Sequence, residues 1–283
     1  MKILMLCGVF AKENEQEVIR HARAAVEFSA NVFQQKLIAG FRSLGQDFSA
    51  ISAPFVGSYP NASDMVHFRE FEDDQSLCTY VPFNNIWGLR NFSRTRSLKK
   101  AVQDFIREED TQKLIVVYCT HTPFIEAAVY AKKKDPRIKI CLYVPDLPNY
   151  MNLNANRSWF YDVAKAYDIA VMTRLMKQVD SFVLLTEQMK DALPVGEKPY
   201  RVIEGIITRQ QLIRPAAPKE SDGLIRVVYT GKLNACFQLF KNKIIVVSLA
   251  VITATAWLLA GAGGDFAVSC AIAVLVISCP CAM

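Results

Sequence analysis

Leu114-Ile115-Val116-Val117-Tyr118-Cys119-Thr120-His121-Thr122-Pro123 is the stretch on which the reading of this chain turns. Leu114–Cys119 is a short, unbroken apolar run rich in β-branched residues, too short for a core helix. Such a run predicts a strand covered on both faces, as in a parallel sheet. The polar segment Thr120–Pro123 follows at its carboxyl end, and Phe124–Lys133 is expected to be a helix. A buried strand feeding directly into a helix is the opening of an alternating β–α arrangement.

The same alternation extends both ways. Upstream, Lys2–Cys7 is expected to be a first buried strand ended by Gly8, with a loop to about Glu15. Asn31 is placed to cap a helix carrying Val32, Phe33, Leu37, Ile38 and Phe41, closed by Gly45. Phe48–Val56 reads as a second strand, with Pro54 at its outer end. Residues 57–95 are turn-rich and aromatic (Tyr59, Phe68, Phe71, Tyr80, Phe83, Trp87, Phe92). They form either an acceptor-contacting surface or an irregular segment packing its rings on the core, and the second is expected. Ser97–Glu108 is an amphipathic helix.

Downstream, Ile138–Val144 is a strand ending in Pro145-Asp146-Leu147-Pro148, and Ser158–Lys177 a long helix. Ser181–Leu185 is a further strand, Thr186 caps a short helix over Glu187–Leu193, and Arg201–Ile203 is a short strand. Pro215–Gly223 reads as a linker, and Leu224–Tyr229 as one more strand running into Thr230-Gly231-Lys232-Leu233. Repeated strand–helix alternation makes an α/β chain with a parallel sheet. Ligands of such sheets bind beyond the carboxyl ends of the strands. That rule selects Gly8, His121 and Asp146. Each also has a purely structural reading: a tight turn at Gly8, a loop hydrogen bond at His121, an Asx-type turn at Asp146.

The formal charge is +6, and the first 240 residues carry +5 of it, since Lys241, Lys243 and Asp265 sum to +1. The basic residues are dispersed, which fits phosphates or an anionic membrane surface and gives no case for nucleic acid as a partner. The cysteines before residue 236 (Cys7, Cys78, Cys119, Cys141) are widely spaced, as buried free thiols in a reducing compartment would be, with no zinc-type spacing.

The carboxyl-terminal tail differs in kind. Ile244–Gly264 carries no charge, Asp265 interrupts, and Phe266–Met283 is charge-free again. The 21 residues of the first run would extend about 31 Å as a helix, close to the hydrocarbon thickness of a bilayer. Two transmembrane helices turning at Gly261–Asp265 are therefore expected in preference to a buried helical hairpin in a soluble core, because two long runs with almost no polar face are rare in a soluble domain. The second run contains Val274-Leu275-Val276-Ile277-Ser278-Cys279-Pro280-Cys281-Ala282. This motif and its apolar frame resemble the ion-translocating helix of heavy-metal P-type ATPases. The proline opens the helical hydrogen-bond ladder, and the thiolates of Cys279 and Cys281 suit Cu(I) or another soft ion. The resemblance covers about the last forty residues, and that family's phosphorylated aspartate loop and nucleotide domain are not in the chain.

The first 234 residues resemble the amino-terminal half of a GT-B glycosyltransferase, most similar to glycosyltransferase family 4. The stretches that carry the resemblance are the Gly8 loop, Val117–Phe124, Val144–Asn152, Ser181–Met189, Val202–Ile207 and Val227–Leu233. The resemblance implies a Rossmann-like acceptor domain facing a second domain that holds a nucleotide sugar. It implies sugar transfer to a polysaccharide or lipid-linked acceptor with no cofactor required. It assigns the catalytic position to His121, facing the transferring sugar. Gly8 and Asp146 would line the acceptor/donor cleft, and Gly231 and Lys232 would meet the nucleotide-sugar phosphates. The expected organisation is 1–214 acceptor-type domain, 215–234 linker and first strand of the donor domain, 235–243 junction, and 244–283 membrane hairpin. The remainder of the donor domain is not found, so the expected product is a glycosyltransferase-like chain with little activity. The alternatives are a copper-transporting ATPase fragment and a fusion without function. Lys241 and Lys243 would keep the globular part on the cytoplasmic side of an inner (cytoplasmic) membrane.

Overall fold

A computed structural model describes residues 1–24, 26–69, 71–73, 78–109, 112–148, 159–207 and 243–277. The chain divides into two compact units, one of Met1–Met151 with Trp159–Pro215 and one of Asn152–Ser158 with Ala216–Met283.

In the first unit the elements run β1 (Lys2–Cys7), α1 (Lys12–His21), α2 (Phe28–Ser43), β2 (Asp47–Ser52), β3 (His67–Phe68), β4 (Phe71–Asp73), β5 (Cys78–Tyr80) and β6 (Phe83–Asn84). They continue with α3 (Arg90–Ala101), α4 (Gln103–Arg107), β7 (Lys113–Tyr118), α5 (Thr122–Lys134), β8 (Ile138–Val144), α6 (Trp159–Met176), β9 (Ser181–Leu184), a 3-10 turn (Glu187–Lys190) and β10 (Tyr200–Val202). The main sheet has the order β10-β9-β8-β7-β1-β2-β5-β4. Every neighbouring pair is parallel except β4 with β5. β3 and β6 make a separate antiparallel ribbon, with His67 opposite Asn84. The unit is a Rossmann-like α/β fold with a mostly parallel sheet, as expected.

The central strands lie where their composition directs them. Leu4, Met5 and Leu6 of β1, Ile115 and Val117 of β7, and Ile140, Leu142 and Val144 of β8 are all buried. Met5 sits between Ala50 of β2 and Val116 of β7. Helix α5 packs between α3 and α6, and its alanines Ala127, Ala128 and Ala131 are buried, so it can lie close to its neighbours.

Several expectations are corrected. The loop expected to run to about Glu15 ends at Ala11, and α1 begins at Lys12. Glu13 and Glu15 stand in its first turn and Arg20 and His21 in its last, the charge order that a helix dipole favours. Asn31 is not a cap: α2 starts three residues earlier, and the Asn31 side chain is buried inside it. Strand β2 stops at Ser52, although Phe55 still donates to the Gly8 carbonyl at 2.8 Å. The helix expected over Ser97–Glu108 is two helices, starting at Arg90. Phe68 and Phe83 stack at 5.4 Å inside the core, as expected of that aromatic segment. Trp87 and Phe92 do not follow them and stand exposed. Thr186 precedes a 3-10 turn without a side-chain capping bond. The linker Pro215–Gly223, the strand Leu224–Tyr229, Gly231, Lys232, Cys279 and Cys281 lie outside the described residues.

In the second unit, helices Lys243–Leu259 and Gly264–Ile277 fold back on one another through a turn at residues 260–263. Trp257 meets Phe266 edge-on at 5.0 Å. Ala250 and Ala267 are buried, while Val251, Ile252, Leu258, Leu259, Phe266 and Val268 are exposed. Asp265, read as an interruption, occupies the first turn of the second helix. Among the described residues no helix is long and apolar enough to cross a membrane. The first helix, of 17 residues, extends about 25 Å.

Candidate functional site

The sheet changes its direction of winding at β1. Strands β2, β5 and β4 follow on one side and β7 through β10 on the other. The carboxyl ends of β1 and β7 therefore border the topological switch point, where open α/β sheets bind ligands. Gly8 follows β1 and His121 follows β7, so the fold brings both to this edge.

The loop after β1 is held by buried amides of α2. The Gly8 N–H donates to Gln34 Oε1 at 2.7 Å, and the Phe10 N–H to Asn31 Oδ1 at 2.9 Å. The Ser52 hydroxyl donates to the Val9 carbonyl at 2.5 Å. A Cβ at Gly8 would come within 2.5 Å of the Phe55 ring, so this close approach requires glycine. The same Phe55 ring meets the His121 imidazole edge-on at 5.5 Å. One aromatic ring thus bridges the two candidates.

His121 is positioned by a sharp exit from β7. Cys119 adopts φ 66°, a left-handed conformation rare for a side chain that is not glycine. Its N–H donates to the Tyr143 carbonyl at 2.9 Å, and the His121 N–H donates back to the Cys119 carbonyl at 2.9 Å. The His121 carbonyl then accepts the Phe124 and Ile125 N–H groups at 3.1 and 3.2 Å, which starts α5. The ring is half-buried against Phe124 at 4.8 Å. Its Nδ1 is enclosed without a hydrogen-bond partner, as is the Thr122 hydroxyl beside it. Burial, followed by the positive charges of Arg94 and Arg90, holds the His121 pKa well below the ordinary imidazole value. The imidazole is neutral at neutral pH.

Arg94 was not selected from the sequence. It is 1% exposed, donates from Nη2 to the Pro54 carbonyl at 2.5 Å, and lies over the Phe83 ring at 4.3 Å. Its Nε has no partner. Burial and then the neighbouring Arg90 lower its pKa. The signal was its register: Arg94, Leu98 and Val102 recur at four-residue spacing on the buried stripe of their helices. A buried guanidinium with a free N–H, a neutral imidazole and a helix amino-terminus together favour negative charge developing beside them.

Asp146 joins this edge through its backbone, where its carbonyl accepts the Thr120 hydroxyl at 3.2 Å. The residue keeps an open side to solvent. Enclosure of its carboxyl, then the charge of Glu27, raises its pKa. Gly231 and Lys232, and the thiols Cys279 and Cys281, lie outside the described residues. Among the described residues no three His, Cys, Asp or Glu side chains are placed to hold a metal ion. Cys7, Cys78, Cys119, Cys141 and Cys270 are free thiols.

No protein-family model matches the chain. A curated protein, the copper-exporting P-type ATPase of Mycobacterium leprae, is 38% identical over 106 residues, 33% of this chain and 14% of that protein. The chain thus spans a small part of this relative. Among solved structures, it is similar to sucrose-phosphate synthase from Thermosynechococcus elongatus, with a TM-score of 0.43 and 13% identity, covering 76% of this chain and 51% of that one. It is also similar to apo OtsA, with a TM-score of 0.45 and 9% identity, covering 91% and 63%. It spans less than two thirds of either. The Rossmann-like fold is carried by the strand order and register of the main sheet.

Proposed function

We propose that the first unit is the acceptor-side half of a glycosyltransferase that uses a nucleotide sugar and a polysaccharide or lipid-linked acceptor. The observation that carries this is the neutral, half-buried His121, whose enclosed Nδ1 is unpartnered, at the switch point. In the transfer, an acceptor hydroxyl oxygen bonds to the anomeric carbon as the bond from that carbon to the diphosphate oxygen breaks. The diphosphate leaves with the electron pair, and the hydroxyl proton passes to a phosphate oxygen. His121 would orient the sugar, and Arg94 and the α5 amino-terminus would favour the charge that develops on the leaving group. Gly8 and Asp146 would wall the cleft, and Gly231 and Lys232 would meet the phosphates.

Amide chemical-shift mapping of the full chain in detergent, titrated with a short oligosaccharide as acceptor, tests this reading. Shifts should concentrate at Gly8–Phe10, Thr120–Thr122 and Asp146. Shifts elsewhere, or none, would overturn it.

A second reading concerns the tail. The match to the copper-exporting ATPase and the Cys279-Pro280-Cys281 motif support it as a soft-metal-binding membrane hairpin. The apolar side chains exposed around Val251–Leu259 and Phe266–Val268 suit lipid. The globular unit would then lie in the cytoplasm at the inner membrane. Cu(I) titration of the full chain should weaken sharply in Cys279→Ser/Cys281→Ser, and an unchanged affinity removes this reading.

A further inference from the structure

We propose that Trp87, Leu89 and Phe92 form a membrane-docking tip that seats the first unit on an anionic lipid surface, separately from the tail. The three side chains are 55%, 58% and 71% exposed. They stand within six residues, around Gly88, whose φ of 84° turns the chain into α3.

Their base is firmly held. The Trp87 N–H donates to the Tyr59 carbonyl at 2.9 Å, and the Leu89 and Arg90 N–H groups donate to the Ile86 carbonyl at 3.1 and 2.9 Å. Asn85, buried beneath them, donates from Nδ2 to the Gly57 carbonyl at 2.5 Å and the Met65 carbonyl at 3.0 Å. Large apolar groups held out on a fixed base, next to one another, mark a contact surface more than stray exposure does.

The charge around them identifies what is contacted. From Trp87 to Gln103 the chain carries Arg90, Arg94, Arg96, Lys99 and Lys100 and no acidic residue. Arg94 turns inward, and Lys99 pairs with Glu126 of α5 at 2.6 Å. Arg96 and Lys100 remain exposed. Asp104, the next acid along the chain, is 3.6 Å from Arg107. At helical spacing Leu89, Phe92, Arg96 and Lys100 share one face of α3, opposite Arg94 and Leu98. The outward face is thus apolar and aromatic at its amino-terminal end and cationic along the next two turns. A tryptophan at headgroup depth, aliphatic and aromatic groups reaching the acyl boundary, and cations meeting anionic headgroups are the three elements of interfacial binding.

The test uses the full chain with Trp159→Phe and Trp257→Phe, which leaves Trp87 as the sole tryptophan of three. Vesicles of equal parts phosphatidylcholine and phosphatidylglycerol, carrying bromine high on the acyl chains, are added and emission is recorded. Trp87 should shift to the blue and be quenched about two-fold, an effect that salt or Arg96→Glu/Lys100→Glu reduces several-fold. Unchanged Trp87 emission in a chain that nevertheless sediments with the vesicles through its tail overturns the proposal. A blue shift that depends on chain concentration without lipid overturns it as well, in favour of self-association.

Discussion

Asn31 clasps both backbone polar groups of Phe10, accepting from its N–H at 2.9 Å and donating to its carbonyl at 3.3 Å. The clasp ties the loop after β1 to the interior of α2 and gives the switch-point edge its fixed floor. Asn31→Ala strips both bonds from the backbone of the buried Phe10, which costs about 1–3 kcal/mol. Gln35, whose Nε2 lies 3.5 Å from the same carbonyl, can replace one bond only. Urea unfolding should show the lowered midpoint, and an unchanged midpoint would mean that the loop is not held by this residue.

Gly8→Ala is expected to cost about 1–3 kcal/mol, because the added methyl meets the Phe55 ring and overpacked sites yield only by displacing a neighbour. The discriminating measurement is a double-mutant cycle with Phe55→Leu. If the ring causes the cost, the two substitutions couple by about 0.5–3 kcal/mol. Additive effects would show that the ring swings aside freely. Displacing the ring should also shift the His121 imidazole resonances, since the two rings are in edge contact.

The depressed His121 pKa has a definite sign in stability. The unfolded chain binds a proton at about pH 6.5, whereas the folded chain binds it only at lower pH. Between those values the unfolded state holds more protons, so stability contributed by the neutral ring is full above about pH 6.5 and falls as the pH drops below it. The His121 ring protons should show no titration step near pH 6.5 in NMR spectra of the folded chain. His121→Gln should flatten that part of the stability profile. A normal titration step would mean that the ring is solvated.

How much of this was legible from the residues depends on what each residue's environment demanded. The expected bounds of β1 and β8 match the observed strands because β1 is buried from Ile3 to Cys7 and β8 at every residue except Lys139 and Cys141, which leaves a clear apolar pattern. Helix α1 leaves no apolar stripe in the sequence, because Val18 is its sole buried residue among ten. Strands β3 and β6, of two residues each, have no period to detect. Asn31 reads as a cap because short polar side chains favour helix ends, whereas its partner is a loop twenty-one positions away. Arg94 escaped notice because a cation reads as solvated unless its register is followed. Gly8, His121 and Asp146 were selected by the general rule for open sheets, and the fold places them along one edge of it.

Lys113 and Asp135 form a buried ion pair at 3.1 Å, with side chains 0% and 8% exposed. Arg137 adds a two-pronged contact to the same carboxylate at 2.9 and 3.0 Å. The hydrogen bonds from Arg137, then those from Lys113, hold the Asp135 pKa well below the ordinary carboxylate range against the opposing effect of burial. The unfolded value is about 3.9. The stability this pair contributes is therefore fully present above about pH 4 and is lost as the pH falls towards the folded value. Asp135→Asn leaves the Lys113 cation buried without its counter-charge, a change that costs about 3–5 kcal/mol. Lys113→Met in the same chain should restore most of that loss, because two neutral groups then share the site. Chemical denaturation at pH 7 and at about pH 2.5 measures both effects. If the double substitution is no more stable than Asp135→Asn alone, the loss comes from the broken Arg137 contact and not from the stranded lysine.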